Sequence, residues 1–379
     1  MQPSSPSHLS MVSTPLEGGI TLRGPEAERR LNIEIRPFDL IHGSPSGWSR
    51  YHEFWKDLTK EFYPEQPPMN MNTWKRMLLA DLGEIDMVAY EAVDLQQNER
   101  IAGFFRLLFW EESSPSYRGN EHICNLAGIS VRSEYRRRGI ATKLLPAAYD
   151  ETKAHGRRPV TGSILNEAGR ILVGNIGGRE ALEMQDNRLH LDDVDWNMVS
   201  RWVEEGLKRS PGTRIEFFRS IPDEMLEQFC DVFTEVSNQA PRDELRVGDQ
   251  IVTPESWRAR MEKYAEAGMK YLAALTIEEN GVISGLTDVA WYPSQPSILM
   301  QSFTGVQEKH RGRGLGKWLK GAMLLRVRDE FPSVITVSTQ SATSNDPMLH
   351  INRQLGFKLY REIYVFQMEI RKLKKYLGR

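Results

Sequence analysis

The sequence predicts an α/β protein built from two similar halves, each with a mixed sheet and flanking helices. Segments with strand-like alternation and segments with helical spacing follow one another along the 379 residues. A basic, glycine-rich turn occurs twice, each time between a predicted strand and a predicted helix. Matching positions keep a nearly constant offset: 175 residues between Arg136 and Arg311, and 179 between Asn166 and Asn345 and between Gly177 and Gly356.

Composition narrows the class of protein. Hydrophobic residues make up 40% and charged residues 26%, as in ordinary globular domains. The net charge of −2 argues against a nucleic-acid partner, which requires a basic surface. No apolar run approaches the roughly 20 residues that span a bilayer, and no secretory signal is evident. We therefore expect a cytoplasmic protein, a monomer or homodimer, with Cys124 and Cys230 as buried, reduced thiols.

The first half follows a flexible extension predicted over residues 1–31, which is rich in Ser, Pro and Gly. The first domain is predicted over 32–188. Its opening strand is followed by a helix whose apolar residues recur at helical spacing and by a second, shorter helix. The remaining predicted elements are strands over 87–93, 100–110 and 123–131, the first basic turn, a helix over 139–155, a strand over 159–165 and a helix or turn over 166–173.

The second half repeats this order. A connector helix rich in acidic residues and Trp is predicted over 189–212, and the second domain over 213–379. Thr253-Pro254 gives a cap and first-turn proline for one helix. Asn280-Gly281 is typical of a hairpin between two strands. The other predicted elements are strands over 213–218, 297–306, 334–339 and 362–370, and helices over 223–236, 317–329 and 347–355.

The two turns read Arg136-Arg-Arg-Gly-Ile-Ala141 and Arg311-Gly-Arg-Gly-Leu-Gly316. Glycine allows tight turns and close approach of a ligand to the backbone. The helix that follows presents free N–H groups and the positive end of its dipole, which suits a diphosphate. A P-loop would need Gly-Lys-Ser/Thr, which is missing, and a dinucleotide fingerprint does not require so basic a turn.

These turns resemble the Arg/Gln-x-x-Gly-x-Gly/Ala signature of the GNAT acyl-CoA N-acyltransferase superfamily, specifically its tandem-domain bacterial members, a group that includes mycothiol synthase. The resemblance covers about residues 32–369. It implies sheets that splay after the fourth strand, leaving a wedge for the pantetheine arm of acetyl-CoA, with no metal. The implied cofactor-binding residues are Arg136, Arg137, Arg138, Gly139, Ile140 and Ala141 in the first half, and Val306, Arg311, Gly312, Arg313, Gly314, Leu315, Gly316 and Asn345 in the second.

The resemblance also implies a tyrosine, four residues before the glycine that ends the fourth helix, that protonates the departing thiolate. This sequence has Val173 and Asn352 at those positions. Because Val173 cannot donate a proton, we expect the second half to be catalytic. There Asn352 would donate a hydrogen bond to the sulfur, or Tyr360 or Tyr364 would replace the acid, unless these tyrosines only pack in the core.

Three carboxylates are the candidates for binding the acceptor. Asp243 and Glu244 fall in the loop where this fold gathers acceptor-binding groups, and Asp288 falls on a strand near the wedge, where a carboxylate can hold or deprotonate an ammonium group. Cys124 and Asn125 would line the first wedge. The expected activity is acetyl transfer from acetyl-CoA to a small-molecule primary amine such as an antibiotic, amino sugar or biosynthetic intermediate. The alternatives are a peptide or protein N-acetyltransferase, and a non-catalytic acyl-CoA-binding module.

Overall fold

The computed structural model describes residues 31–379, so the extension predicted over 1–31 lies almost entirely outside the described residues. The described helices are α1 (Pro45–Phe62), α2 (Met71–Leu78), α3 (Ile140–Ala154), α4 (Glu167–Ile176), α5 (Trp196–Arg209), α6 (Asp223–Asn238), α7 (Pro254–Glu266), α8 (Leu315–Glu330), α9 (Asp346–Leu355) and α10 (Ile370–Tyr376). The strands are β1 (Ile33–Pro37), β2 (Ile85–Asp94), β3 (Arg100–Trp110), β4 (Cys124–Val131), β5 (Pro159–Ile164), β6 (Arg179–His190), β7 (Arg214–Phe218), β8 (Lys270–Ile277), β9 (Ile283–Trp291), β10 (Ile298–Val306), β11 (Thr336–Ala342) and β12 (Lys358–Glu369).

All twelve strands form one sheet in the order β1-β2-β3-β4-β5-β12-β6-β11-β10-β9-β8-β7. The pairs β4–β5 and β10–β11 are parallel, and the other pairs are antiparallel. Helices cover both faces of each half. The predicted fold class, a mixed α/β sheet in two repeats, is confirmed.

The two halves exchange their last strands. β12 lies beside β5 of the first half, and β6 lies beside β11 of the second, with β6 and β12 paired at the centre. The helix after each exchanged strand goes with it: α5 packs on α8, and α10 packs on α3. The boundaries predicted at 188 and 213 divide the sequence repeats, whereas the strand pairing joins each trailing strand and helix to the opposite half.

Each parallel pair separates soon after it begins. β4 pairs with β5 only from Cys124–Leu126, and β10 pairs with β11 only from Ile298–Met300. The later residues of β4 and β10 keep their other neighbour, so each of these strands has a free edge facing a wedge. The splay implied by the family resemblance is therefore present in both halves.

Several local expectations have clear outcomes. Cys124 and Cys230 are buried and free, as predicted. β6 and α10 are not among the predicted elements, and the predicted connector helix starts seven residues before α5 begins at Trp196. β6 carries five charged residues in twelve, so its pattern lacks the apolar alternation that marks a strand with one buried face.

Candidate functional site

The glycine-rich turns place uncapped helix starts at both wedges. Gly139 and Gly314 precede α3 and α8 with φ of 74° and 79°, in the left-handed region that favours glycine. Neither helix has a side-chain cap, whereas Asn166 and Asn345 cap α4 and α9 through their side-chain oxygens. The first N–H groups of α3 and α8 are consequently left for a ligand, which fits the diphosphate of an acyl-CoA.

The first arginine of each turn fixes the backbone. Arg136 donates to the carbonyl oxygen of Val131 and pairs with Glu61, and Arg311 donates to the carbonyl oxygen of Val306 and to the Gln239 side chain. Each guanidinium therefore joins the end of its strand to the C-terminal end of a helix: α1 in the first half and α6 in the second. This geometry gives Arg136 and Arg311 a positioning role in the turn.

The middle of the turn differs between the halves. Arg313 is held by Glu278, Thr213 and Ser210, with 2.9 Å between Nη1 and the Glu278 carboxylate. Burial opposes ionisation of Glu278, but hydrogen bonds from Arg313, Ser284 and Thr213 lower its pKa to about 2. Arg313 is thus engaged within the second half.

In the first turn the two following arginines are exposed. Arg137 and Arg138 form no ion pair with residues 31–379. Arg137 has φ of 61°, at the position where the second half has Gly312 with φ of 79°. The first half therefore presents two guanidinium groups to solvent at the place where a diphosphate would lie, at the cost of one strained residue.

The wedge of the first half opens into a cavity on the α1 face of the sheet. Its volume is about 240 Å³, and it lies where β4 and β5 diverge. Gly128 makes this space: its φ is 100°, and nothing lies within 4 Å of where a side chain would begin. The lining residues are Tyr51, Phe54, Trp55, Leu58, Thr59, Phe62, Tyr63, Phe104, Arg106, Ala127, Gly128, Ser130 and Leu165.

The same position of the second half is filled. Ile129 of β4 pairs with Phe105, and Thr304 of β10, which lies 175 residues later, pairs with Thr287. At the same offset of 175 residues, Phe303 takes the place of Gly128. The Phe303 ring packs 5.8 Å from the Phe233 ring on α6. At Gly305, where the first half has Ser130, even a Cβ would come within 2.6 Å of Val236. Helix α6 thus lies directly on β10.

The opposite face of the second wedge holds a buried polar cluster. Lys320 on α8 is 1% exposed, and its Nζ donates to Gln301 Oε1 at 2.6 Å and to Asn352 Oδ1 at 2.7 Å. Burial lowers the pKa of Lys320 to about 7. The matching residues of the first half are apolar, and they line a small apolar cavity of about 30 Å³: Leu126, Leu145 and Val173.

This cluster bears on the predicted role of Asn352. The side chain is 2% exposed, and its oxygen is taken by Lys320, while its Nδ2 has no partner among the described residues. From the family resemblance, this side chain is expected to face the acyl-CoA sulfur. The structure places it in the core between α8 and α9, where Lys320 fixes its orientation.

The predicted roles of the two tyrosines for the second wedge need correction, because strand exchange moves them. β12 is separated from the β10–β11 wedge by β6. Tyr360 stacks on Tyr63 with ring centroids 6.2 Å apart, and its hydroxyl donates to Glu65. Tyr364 pairs with β5 and donates to Glu362. Both tyrosines therefore lie in the first half, and Tyr360 contacts the end of α1 at the rim of its cavity.

The predicted carboxylates lie apart from one another. Asp288 is 4% exposed and accepts from the Phe303 backbone N–H at 2.8 Å, and burial raises its pKa to about 7. Asp243 accepts from Ser344 at 2.7 Å, beside the second wedge. Glu244 pairs with Arg179 on β6. The structure does not gather Asp243, Glu244 and Asp288 into one acceptor site.

Asn125, expected at the first wedge, lies on the same face at the other end of β4. It lines a larger cavity of about 330 Å³ between the first sheet half and the loop after α6. Cys124 is fully buried, and burial raises its thiol pKa to about 12. Only the Asn125 side chain is therefore available to a ligand.

Gly128, Arg106 and the aromatic residues of α1 line this candidate site but are not among the residues predicted from the sequence. A glycine in the middle of a strand marks a bulge or a close approach, so Gly128 carried a usable signal. The apolar stripe of α1 is indistinguishable from core until its distance from the sheet is known. Within residues 31–379, no helix is long and apolar enough to cross a membrane, and no cluster of metal-binding side chains is present.

The fold is a tandem repeat of the GNAT type, with an uncapped helix start at each wedge. Residues 49–162, most of the first half, match the model of the Acetyltransferase (GNAT) family. The chain is therefore similar to GNAT acetyltransferases in sequence over residues 49–162. No curated protein matches the chain.

Solved structures share this fold over most of both chains. A tandem GNAT protein from the clavulanic acid biosynthesis pathway is 19% identical, with a TM-score of 0.70, covering 89% of this chain and 98% of its own. A GCN5-related N-acetyltransferase from Sphaerobacter thermophilus is 15% identical, with a TM-score of 0.59, covering 89% and 96%. An N-myristoyltransferase from Saccharomyces cerevisiae with bound myristoyl-CoA is 10% identical, with a TM-score of 0.53, covering 89% and 82%.

Proposed function

We propose that this chain transfers the acetyl group of acetyl-CoA to the primary amine of a small molecule, and that transfer takes place in the first half. The observation that carries the proposal is the open cavity at Gly128. A volume of about 240 Å³ suits a small acceptor. The filled position at Phe303 argues against the second half, although its turn has the fuller match to the signature.

The residues of the first half fit the donor. The free edge of β4 beyond Leu126 offers backbone N–H and C=O groups to the amide groups of a pantetheine arm. The N–H groups at the start of α3 face the place for the diphosphate, with Arg137 and Arg138 exposed beside them. Acetyl-CoA supplies the activated acyl group, and the chain positions it against the acceptor, which can lower the barrier by up to about 7–11 kcal/mol.

Tyr51 is our candidate for the proton donor to the leaving thiolate. It lines the cavity, its ring stacks on Phe104 at 3.8 Å, and its hydroxyl has no hydrogen-bond partner among the described residues. Burial raises the pKa of Tyr51, with Arg106 opposing, so the hydroxyl keeps its proton at neutral pH. Tyr63 is the second lining tyrosine and provides a comparison.

No carboxylate or imidazole lines this cavity in the described residues. The acceptor must therefore lose its ammonium proton to water or enter as the free amine. We expect kcat/KM to rise with pH until the pKa of the acceptor amine is reached. The pH profile should show no second ionisation from a protein base.

Two single substitutions test which half is used. Gly139→Glu and Gly314→Glu each place a carboxylate at the diphosphate position of one turn. Thiol release from acetyl-CoA, measured with an amine panel, should be lost in Gly139→Glu and retained in Gly314→Glu. The reverse pattern would assign transfer to the second half, as expected from Val173 and Asn352.

The alternatives have their own outcomes. Tight binding of acetyl-CoA without turnover of any amine would favour a non-catalytic acyl-CoA-binding module. Turnover of peptide N-termini or lysine-containing peptides in preference to small amines would favour a peptide or protein N-acetyltransferase. A cytoplasmic location and a bacterial source remain part of this proposal.

A further inference from the structure

Among residues 31–379, Arg106 is the only charged side chain that lines the cavity of the first half. It lies on β3 next to Phe105, whose partner on β4 is Ile129, so it stands beside the opening at Gly128. The side chain is half-buried. Within residues 31–379 it forms no ion pair and no side-chain hydrogen bond, although ion pairs are common around it, as between Arg136 and Glu61.

An unpaired guanidinium in an aromatic cavity is costly. Buried or partly buried charges are normally paired, because a nonpolar wall cannot replace the water that solvates them. The aromatic residues of α1 and the stacked pair Tyr51–Phe104 occupy much of the wall around Arg106. A ligand with an anionic group would supply the missing partner, and arginine binds a carboxylate through two parallel hydrogen bonds.

The second half supports a specific role for this position. Strand register matches Arg106 with Asp288, which is satisfied internally by the Phe303 backbone N–H. The half with the filled wedge thus has an internally bonded carboxylate, and the half with the open cavity has an unpaired cation. The unpaired charge is therefore found in the half whose cavity is open.

Resting on the function proposed above, we infer that the acceptor is a small primary amine that also carries a carboxylate, and that Arg106 binds this carboxylate. Arg106 then sets acceptor specificity and holds the amine beside the β4 edge where the thioester lies. The cavity is too small for both an extended peptide and an acyl chain, which favours a compact acceptor.

The test compares Arg106→Gln and Arg106→Lys with wild type. Arg118→Gln is the matched control, since Arg118 is exposed on a loop of the same half. Each amino acid of a panel is assayed with acetyl-CoA beside the amine that it would give on decarboxylation. We expect wild type to favour the carboxylate-bearing member, and Arg106→Gln to lower its kcat/KM by about 10- to 100-fold through KM. The decarboxylated member should be unaffected.

Arg106→Lys should recover part of the preference, and Arg118→Gln should behave as wild type. An unchanged preference in Arg106→Gln would overturn the inference. An equal loss of kcat for both members of a pair would assign Arg106 to the reacting carbonyl instead. A loss confined to succinyl-CoA, compared with acetyl-CoA, would place the carboxylate on the donor.

A binding measurement separates this inference from the transfer function. In the presence of CoA, carboxylate-bearing amines should raise the melting temperature of wild type and of Arg118→Gln, but not of Arg106→Gln. If thiol release fails with every amine while this shift is seen, the carboxylate site stands and the transfer function falls. If no amine shifts wild type, the carboxylate site falls.

Discussion

The two halves of this chain share their elements and their turns, yet they differ in the space at the wedge. At one matched position the first half has Gly128, beside an open cavity, and the second has Phe303, packed on α6. The fuller signature, Arg311-Gly-Arg-Gly-Leu-Gly316, belongs to the closed half. A fuller match to the turn signature therefore does not imply an open cavity at the wedge, because different elements form the turn and the cavity.

The two halves also differ on the other face of the sheet, which α3 covers in the first half and α8 in the second. Leu126, Leu145 and Val173 surround an apolar cavity in the first half, whereas Lys320 bonds its two amide partners in the second. Such a buried polar cluster rigidifies a structure when it is satisfied and is costly when it is broken. In the second half Lys320 has both amide partners, but Asn352 Nδ2 stays without a partner among the described residues.

The largest expected effect comes from filling the open cavity. Ala127→Trp places an indole in the space beside Gly128, so it should lower acetyl transfer by about 100-fold or more through displaced reactants. Ser302→Trp is the matched change, because Ser302 is the exposed equivalent residue in the second half. Steady-state rates of both variants, with melting curves as a check on folding, test the comparison. Equal losses of rate in the two variants would contradict the proposed difference between the halves.

Removing the proposed proton donor should have the next largest effect. Tyr51→Phe keeps the ring that stacks on Phe104 and removes only the hydroxyl, so we expect kcat to fall about 100-fold. Tyr63→Phe is the comparison at the same cavity. If Tyr63→Phe shows the larger fall in kcat, the donor is reassigned to Tyr63.

Asp288 should make the second half sensitive to pH. Its folded pKa of about 7 lies above the ordinary value of 3.8, so the folded state holds a proton that the unfolded chain releases. Its contribution to stability is full below about pH 4 and is lost as pH rises through 7. In wild type the free energy of unfolding should therefore fall by a few kcal/mol between pH 5 and pH 8, and Asp288→Asn should remove this fall. Urea unfolding at the two pH values measures it. The same pH slope in both proteins would contradict the assignment.

Lys320 should act in the opposite direction. Its folded pKa of about 7 lies below the ordinary 10.5, so the unfolded state binds more protons between these values. Stability should therefore rise with pH across that window. Lys320→Met should flatten the rise in urea unfolding between pH 7 and pH 10. Leu145→Met, at the matched apolar position, should leave the slope unchanged, and a flattening there would refute the comparison.

The smallest expected effect concerns the turns. Arg137 holds a left-handed backbone where the second half has Gly312. Arg137→Gly should relieve this strain and raise the free energy of unfolding by about 1 kcal/mol. Affinity for CoA, measured by calorimetry, should fall if Arg137 contacts the phosphates. Unchanged stability would mean that the left-handed conformation at residue 137 costs nothing.

Much of the architecture was predictable because it depends on local chemistry. A nearly continuous apolar run predicts β3, Asn280-Gly281 predicts the hairpin of β8 and β9, and the paired turns predict the repeat. The positions of Gly139 and Gly314 follow directly from the need for a left-handed residue before an uncapped helix. These features are readable from neighbours in sequence.

Tertiary structure alone decided which strands and side chains meet. The exchange of β6 and β12 moved Tyr360 and Tyr364 away from the wedge that they follow in sequence. Likewise, an aromatic helix face looks like core until its separation from the sheet is known, and that separation is set at Gly128. The sequence by itself determined two acyl-CoA-type turns on two repeats. Only long-range packing decided that one wedge is open beside Arg106 and the other is closed.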